Sequence, residues 1–193
     1  MEYFYVKDTR NKYRFFSTEP IRPVDVNFSK WKRLWEKAKN KLLLLPPRIL
    51  SREKAFERIQ DQKPEEVSIL YSGLLKEKKI QTRFFVFLQK QRTLHILLLI
   101  LEVILLPVSG LMAFIPGPNV FFAALALVMI THWRALKGIN NLLKASWNFT
   151  PSEIIMKWEK TVEQNHTQKY SEMIKQLTRN WNLENPEKIL VRN

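Results

Sequence analysis

The sequence predicts an α+β protein attached to a membrane: a small three-stranded sheet with helices, a two-helix membrane hairpin, and a long C-terminal amphipathic helix. Three observations support this: short runs of strand-forming residues, an apolar stretch of 37 residues from Leu94 to Ile130, and helical spacing of apolar residues after Thr150. We therefore divide the 193 residues into an α+β membrane-proximal domain (1–93), a hydrophobic helical hairpin (94–136), and a linker with the amphipathic helix (137–193).

The charge is strongly basic and unevenly distributed. The chain carries 32 Lys and Arg against 18 Asp and Glu, for a net charge of +14, so an anionic partner is expected. The apolar stretch contains no Lys or Arg and one acid, Glu102. Because a membrane would then lie beside the basic domain, we expect a bilayer with anionic headgroups as the partner, and no nucleic acid. The absence of cysteine excludes disulfides and thiolate metal sites.

The predicted sheet comes from three segments. Tyr3–Val6 and Tyr13–Phe16 are rich in strand formers and flank a polar turn, which is typical of a β-hairpin, and Val67–Tyr71 is the third strand. Between the second and third strands we predict a basic amphipathic helix from Ser29 to Leu45 and a short helix that begins at Ser51 and reaches about Asp61. A further helix is predicted from Leu74 to Arg92.

The apolar stretch is too long for one membrane helix and nearly long enough for two, since one span needs about 20 residues. It is interrupted by residues that form the predicted membrane turn, which are Pro107, Pro116, Gly117, Pro118 and Asn119. Each uninterrupted half has only 13 residues, about 20 Å of helix, so the hairpin either extends to span the bilayer or is re-entrant.

The ends of the hairpin are basic, whereas its tip is uncharged. By the positive-inside rule, both termini are expected on the cytoplasmic or matrix side. His132, Trp133 and Arg134 are expected to anchor the second arm at the membrane interface.

Glu102 is the main candidate for chemistry. A carboxylate inside a membrane helix is costly and is a candidate for proton or cation handling, and His95 and Ser109 lie seven residues to either side, on the same helix face. The alternative is that Glu102 only makes a hydrogen bond that holds helices together. Nothing resembles a phosphate loop, a nucleophile elbow, a zinc site or a catalytic carboxylate pair, so we expect no enzyme activity, no cofactor and no metal.

The C-terminal helix is predicted from a start signal and a stripe. Thr150 would cap the helix, Pro151 would occupy its first position, and Glu153 would complete a capping box. The stripe consists of Ile155, Trp158, Val162, Tyr170, Met173, Leu177 and Trp181. We expect one long helix that packs on the α+β domain or on a second copy.

The hairpin sequence "LLPVSGLMAFIPGPNVFFAALALVMITHWRALKGINNLL" resembles the mitochondrial K+/H+ exchange-related protein family, above all at Leu106-Pro107, Ile115–Asn119 and His132–Gly138. The opening "YFYVKDTRNKYRFF", the helix around Trp31 and the "VSILY" strand occur in a similar order. The resemblance implies a membrane protein associated with potassium/proton exchange or its regulation.

One hairpin cannot supply the paired repeats of most secondary transporters, so we expect a homo-oligomer or an accessory subunit of another membrane protein. The alternative is a membrane-anchored adapter or scaffold without transport activity. The expected location is the mitochondrial inner membrane or a bacterial cytoplasmic membrane.

Overall fold

The computed structural model describes residues 2–17, 55–57, 59–60, 64–111, 120–164, 167–181 and 190–191. They belong to two compact units. The sheet unit contains the described residues up to 17, from 64 to 87 and from 144 onward; the helix-pair unit contains residues 55–57, 59–60, 88–111 and 120–143. The predicted domain boundaries at residues 93 and 136 stay a prediction.

The sheet has four strands, not the three that the sequence predicted. They are β1 (Glu2–Lys7), β2 (Tyr13–Ser17), β3 (Glu66–Tyr71) and β4 (Ser146–Pro151), in the order β2-β1-β3-β4. β1 pairs antiparallel with β2 and parallel with β3, and β3 pairs parallel with β4. The predicted β-hairpin and third strand are therefore confirmed, while the fourth strand was missed.

The turn between β1 and β2 is built around Asp8. Its Oδ1 accepts hydrogen bonds from the backbone N–H groups of Arg10 (3.0 Å) and Lys12 (2.9 Å), and its Oδ2 accepts one from Arg14 Nε at 2.7 Å. Asn11 adopts a left-handed backbone with φ of 59°, which asparagine tolerates better than most residues. This buried aspartate fixes the hairpin register that pairs Lys7 with Tyr13.

Both faces of β1 are covered, because alternate side chains point to opposite faces of a strand. Tyr3 stacks edge-on against Phe84, with ring centroids 5.3 Å apart. Phe4 and Val6 belong instead to a buried apolar cluster with Ile155, Trp158, Val162, Ile174, Leu177 and Leu190. Strand β1 is thus the centre of the sheet unit, with the start of a helix on one face and two C-terminal helices on the other.

Four long helices are described: α1 (Glu77–Leu111), α2 (Val120–Lys144), α3 (Glu153–Glu163) and α4 (Thr167–Trp181). Helix α1 joins the predicted helix after Gly73 and the first membrane arm into one helix of 35 residues. It continues through Pro107, which the sequence analysis had placed in the turn. Residues 55–57 and 59–60 are also helical, within the short helix predicted after Ser51.

The predicted single C-terminal helix is wrong, because the structure has two. Thr150 and Pro151 end strand β4 instead of capping a helix, and Ser152 occupies the N-cap position of α3. Helix α3 ends at Glu163 and α4 begins at Thr167, and both contribute side chains to the buried cluster on β1. The stripe was real, but it belongs to two helices that share one core.

One helix among the described residues, Glu77–Pro107, is long and apolar enough to cross a membrane, as judged by length and composition. The sequence predicted two such helices, but the described ranges contain no second helix that meets this criterion. The predicted turn at residues 116–119 and the helix from Ser29 to Leu45 lie outside the described residues, as does the Ser51 cap.

Candidate functional site

From Leu94 to Pro107, helix α1 has its polar side chains buried and its apolar side chains exposed or half-buried. Gln91, His95 and Glu102 are buried, and their spacing of four and seven residues puts them on one stripe. The exposed side chains of the same helix are Leu94, Leu97, Ile100, Leu101, Val103, Ile104 and Leu105. A surface helix of a water-soluble protein has the opposite arrangement, so this surface is suited to contact with lipid.

Glu102 forms a buried hydrogen bond with a histidine of the neighbouring helix. Its Oε1 lies 2.6 Å from Nδ1 of His132, and both side chains are at least nine-tenths buried. Such a short contact is typical of a hydrogen bond in which a charged group takes part. A carboxylate and an imidazole joined in this way are two groups that can both accept and donate a proton.

His95 completes a group of three titratable side chains. Its ring centroid lies 5.4 Å from that of His132, and its side chain is fully buried. Two helices therefore bring together one carboxylate and two imidazoles in an apolar part of the protein. Carboxylates and imidazoles are the side chains most often used as general acids and bases, so this chemistry suits proton transfer.

From the sequence, Glu102 was predicted to share a helix face with His95, and His132 to lie at the membrane interface. A simple signal could have found the second contact: Glu102 and His132 are each 15 residues from Gly117, the centre of the predicted turn. In a helical hairpin, residues equidistant from the turn lie at the same level. Antiparallel arms would therefore have placed these two side chains at the same level.

The other predicted interface residues differ from His132 in their surroundings. Trp133 is 53% exposed, and the ammonium group of Lys137 lies 5.5 Å from the centroid of its indole ring. Arg134 is half-buried, and its Nε donates a hydrogen bond to Oε1 of Gln60 at 3.1 Å. Trp133 is thus the most exposed of the three, and their role as membrane-interface anchors stays a prediction.

Ser109 lies in helix α1, but its side chain is outside the described residues, so its relation to Glu102 stays a prediction. In the parts of the chain that the structure describes, no group of three or more metal-ligating side chains is close enough to hold a metal ion.

The sheet unit contains a second buried carboxylate, Glu159, which the sequence analysis did not single out. The hydroxyl of Tyr13 donates to Glu159 Oε2 at 3.3 Å. Burial raises the pKa of Glu159, although hydrogen bonds from Ser72 and Tyr13 and the charge of Lys7 oppose this. Burial and the negative charge of Glu159 raise the pKa of Tyr13 to about 12. This pair connects α3 to the sheet, and it lies outside the helix-pair unit.

No curated protein and no solved structure matches the chain. The sequence profile of the mitochondrial K+-H+ exchange-related family matches residues 20–146. That range includes β3, helices α1 and α2 and therefore Glu102, His95 and His132, while β1, β2, α3 and α4 lie outside it. Because the match covers well over half of the chain, the protein belongs to the mitochondrial K+-H+ exchange-related family.

Proposed function

We propose that this chain is a membrane-embedded component of potassium/proton exchange, in which Glu102 and His132 carry the proton. The observation that supports this most directly is their 2.6 Å hydrogen bond in the buried interior of the helix pair. A buried carboxylate among membrane helices is expensive to keep, and such residues commonly mark proton or ion pathways. His95, which faces His132, is the neighbouring group to which the proton would pass.

The membrane arrangement in this proposal has α1 and α2 as the two arms of the hairpin. The exposed leucine and isoleucine side chains of α1 would contact the lipid tails. The exposed Lys90 and Arg92 would then face anionic headgroups at the basic end of the helix. The family description and the candidate span support a mitochondrial membrane. The basic residues at the ends of the hairpin are the reason for proposing both termini on the matrix side.

A single helix pair offers too few helices to alternate access to a central site by itself. The proposed component is therefore either a homo-oligomer or an accessory subunit of a separate transporter. Native mass spectrometry of the protein in lipid nanodiscs distinguishes the two, because a homo-oligomer gives masses that are multiples of this chain.

The test is K+/H+ exchange in proteoliposomes that contain only this protein and an internal pH-sensitive dye. Glu102→Gln keeps the size of the side chain but cannot release a proton, so exchange should fall about 100-fold or more. Glu159→Gln is the matched control, because it makes the same change at another buried glutamate outside the helix-pair unit. It should exchange at the wild-type rate.

Equal exchange by wild type and Glu102→Gln would remove Glu102 from the mechanism. If the purified wild-type protein shows no exchange, the same variants are compared in mitochondria depleted of the chain. Restoration of exchange by wild type but not by Glu102→Gln would support an accessory subunit. Restoration by both would instead favour the membrane-anchored adapter.

A further inference from the structure

The short helical segment at residues 55–57 and 59–60, which we call the 55–60 segment, covers His95. Its side chains Phe56 and Ile59 are fully buried. The Phe56 ring stands edge-on to the imidazole of His95, at 89° and with centroids 6.4 Å apart. An aromatic ring from a separate part of the chain therefore lies against one of the three titratable side chains.

The 55–60 segment is held on one face of helix α2. Gly138 allows close approach, because a Cβ there would lie 1.8 Å from the carbonyl oxygen of Phe56. Asn141 Nδ2 donates to the carbonyl oxygen of Ile59 at 3.3 Å, and Arg134 Nε donates to Gln60 at 3.1 Å. Residues 134, 138 and 141 are four and three apart, so they form one row along α2. The two hydrogen bonds are only part-buried, so water can replace them.

The covered histidine lies midway along the buried polar stripe of α1. The stripe begins at Gln91, beside the exposed Lys90 and Arg92, and ends at Glu102. At 1.5 Å per residue, Gln91 is about 6 Å along the helix from His95, and Glu102 is about 10 Å beyond. Gln91 Oε1 and Glu102 Oε2 are buried without a hydrogen-bond partner among the described residues. Buried oxygens of this kind are where ordered water binds.

We propose that water can follow this stripe from the basic end of α1 to the Glu102–His132 pair, and that the 55–60 segment is a plug that closes this route. Phe56 is the closing residue, and Gly138 is a positioning residue that lets the plug seat on α2. Movement of the segment away from α2 would open the route. The role of the plug in exchange rests on the proposed function, whereas its closure of His95 can be measured by itself.

The measurement is the exchange of the imidazole C2 hydrogen with deuterated water, followed for each histidine by mass spectrometry of the full-length protein in nanodiscs. Phe56→Ala removes the covering ring, so His95 should exchange about tenfold faster, as for a site released from local protection. Phe56→Leu restores most of the bulk and should return His95 close to the wild-type rate. Phe85→Ala, at an exposed phenylalanine of α1, is the matched control and should change neither histidine.

Three results would overturn the plug. His95 could exchange at the wild-type rate in Phe56→Ala, or it could exchange equally fast in Phe56→Leu and Phe56→Ala. The exchange rates of His95 and His132 could also rise together with a loss of helix content, which would show general unfolding. The readout requires no transport. If Glu102→Gln leaves K+/H+ exchange intact while Phe56→Ala uncovers His95, the proposed function fails and the closure of His95 stands.

Discussion

Replacement of Gly138 by alanine tests the packing of the helix-pair unit, because two effects of opposite sign compete. Inside a helix, Gly→Ala normally stabilises a protein by about 1 kcal/mol. At this position, however, the new Cβ would lie 1.8 Å from the Phe56 carbonyl oxygen and 2.7 Å from its carbonyl carbon. Both neighbours are backbone atoms, which cannot rotate away. The 55–60 segment would have to retreat by about 1.6 Å to reach ordinary contact near 3.4 Å.

The size of the effect follows from what the 55–60 segment buries. Phe56 and Ile59 are fully buried, and each such side chain contributes about 1.5–3 kcal/mol. Full release would therefore cost up to about 3–6 kcal/mol, and even half of this exceeds the gain of about 1 kcal/mol from helix propensity. We expect Gly138→Ala to lower the free energy of unfolding by about 1–3 kcal/mol.

Chemical unfolding in detergent measures this free energy, and amide hydrogen exchange shows where the change lies. Exchange should accelerate at residues 55–60, with little change in the sheet unit. Lys137→Ala, at the exposed neighbouring position of α2, should alter stability by no more than about 0.5 kcal/mol. A Gly138→Ala protein that is as stable as wild type, with unchanged exchange at residues 55–60, would refute the close approach.

Two further predictions concern buried carboxylates of the sheet unit. Burial disfavours the ionised form of Asp8, but hydrogen bonds from Arg14 and the turn backbone outweigh this effect and lower its pKa below 3.8. Asp8→Asn should therefore lower the free energy of unfolding by about 1–3 kcal/mol near neutral pH. Thermal unfolding should show this difference between wild type and variant shrinking as the pH falls below 3.8. The pKa of Glu159 is raised above 4.5, so wild-type stability should decrease as the pH rises from 4.5 through the folded-state value. Glu159→Gln should lose this dependence, and parallel pH profiles for the two proteins would contradict it.

The sequence predicted the local elements well and the long-range pairings poorly. Short runs rich in aromatic and β-branched residues were enough to find β1, β2 and β3, because these residue types are enriched in strands. Strand β4 has only Trp147 and Phe149 as large apolar residues, and Thr150-Pro151 also suits a helix start. It forms a strand because β3 offers a free edge 80 residues earlier in the chain, as the pairing of Glu66 with Ser146 shows. The strand propensity of the β4 residues alone does not indicate that β3 is available as a pairing partner.

The division of the C-terminal stripe into two helices could have been anticipated. Between Val162 and Tyr170 the chain reads Glu-Gln-Asn-His-Thr-Gln-Lys, with no apolar residue for nearly two helical turns. A helix that packs along its whole length would normally have one there. Because Val162 and Tyr170 are eight residues apart, they would still lie on the same side of a continuous helix. The spacing therefore did not reveal the break between α3 and α4.

The geometry of Glu102 also bears on whether it only holds the helices together. A side chain that serves as interhelical glue should have all of its polar atoms satisfied, because a partly satisfied buried group is worse than an apolar one. Glu102 uses Oε1 for His132, whereas Oε2 is buried and has no hydrogen-bond partner among the described residues. Two well-packed leucines could hold α1 to α2 without this cost, since apolar replacements of buried ion pairs are often neutral or stabilising. Helix packing alone therefore gives a weak reason for a carboxylate at position 102, and its chemistry gives a stronger one.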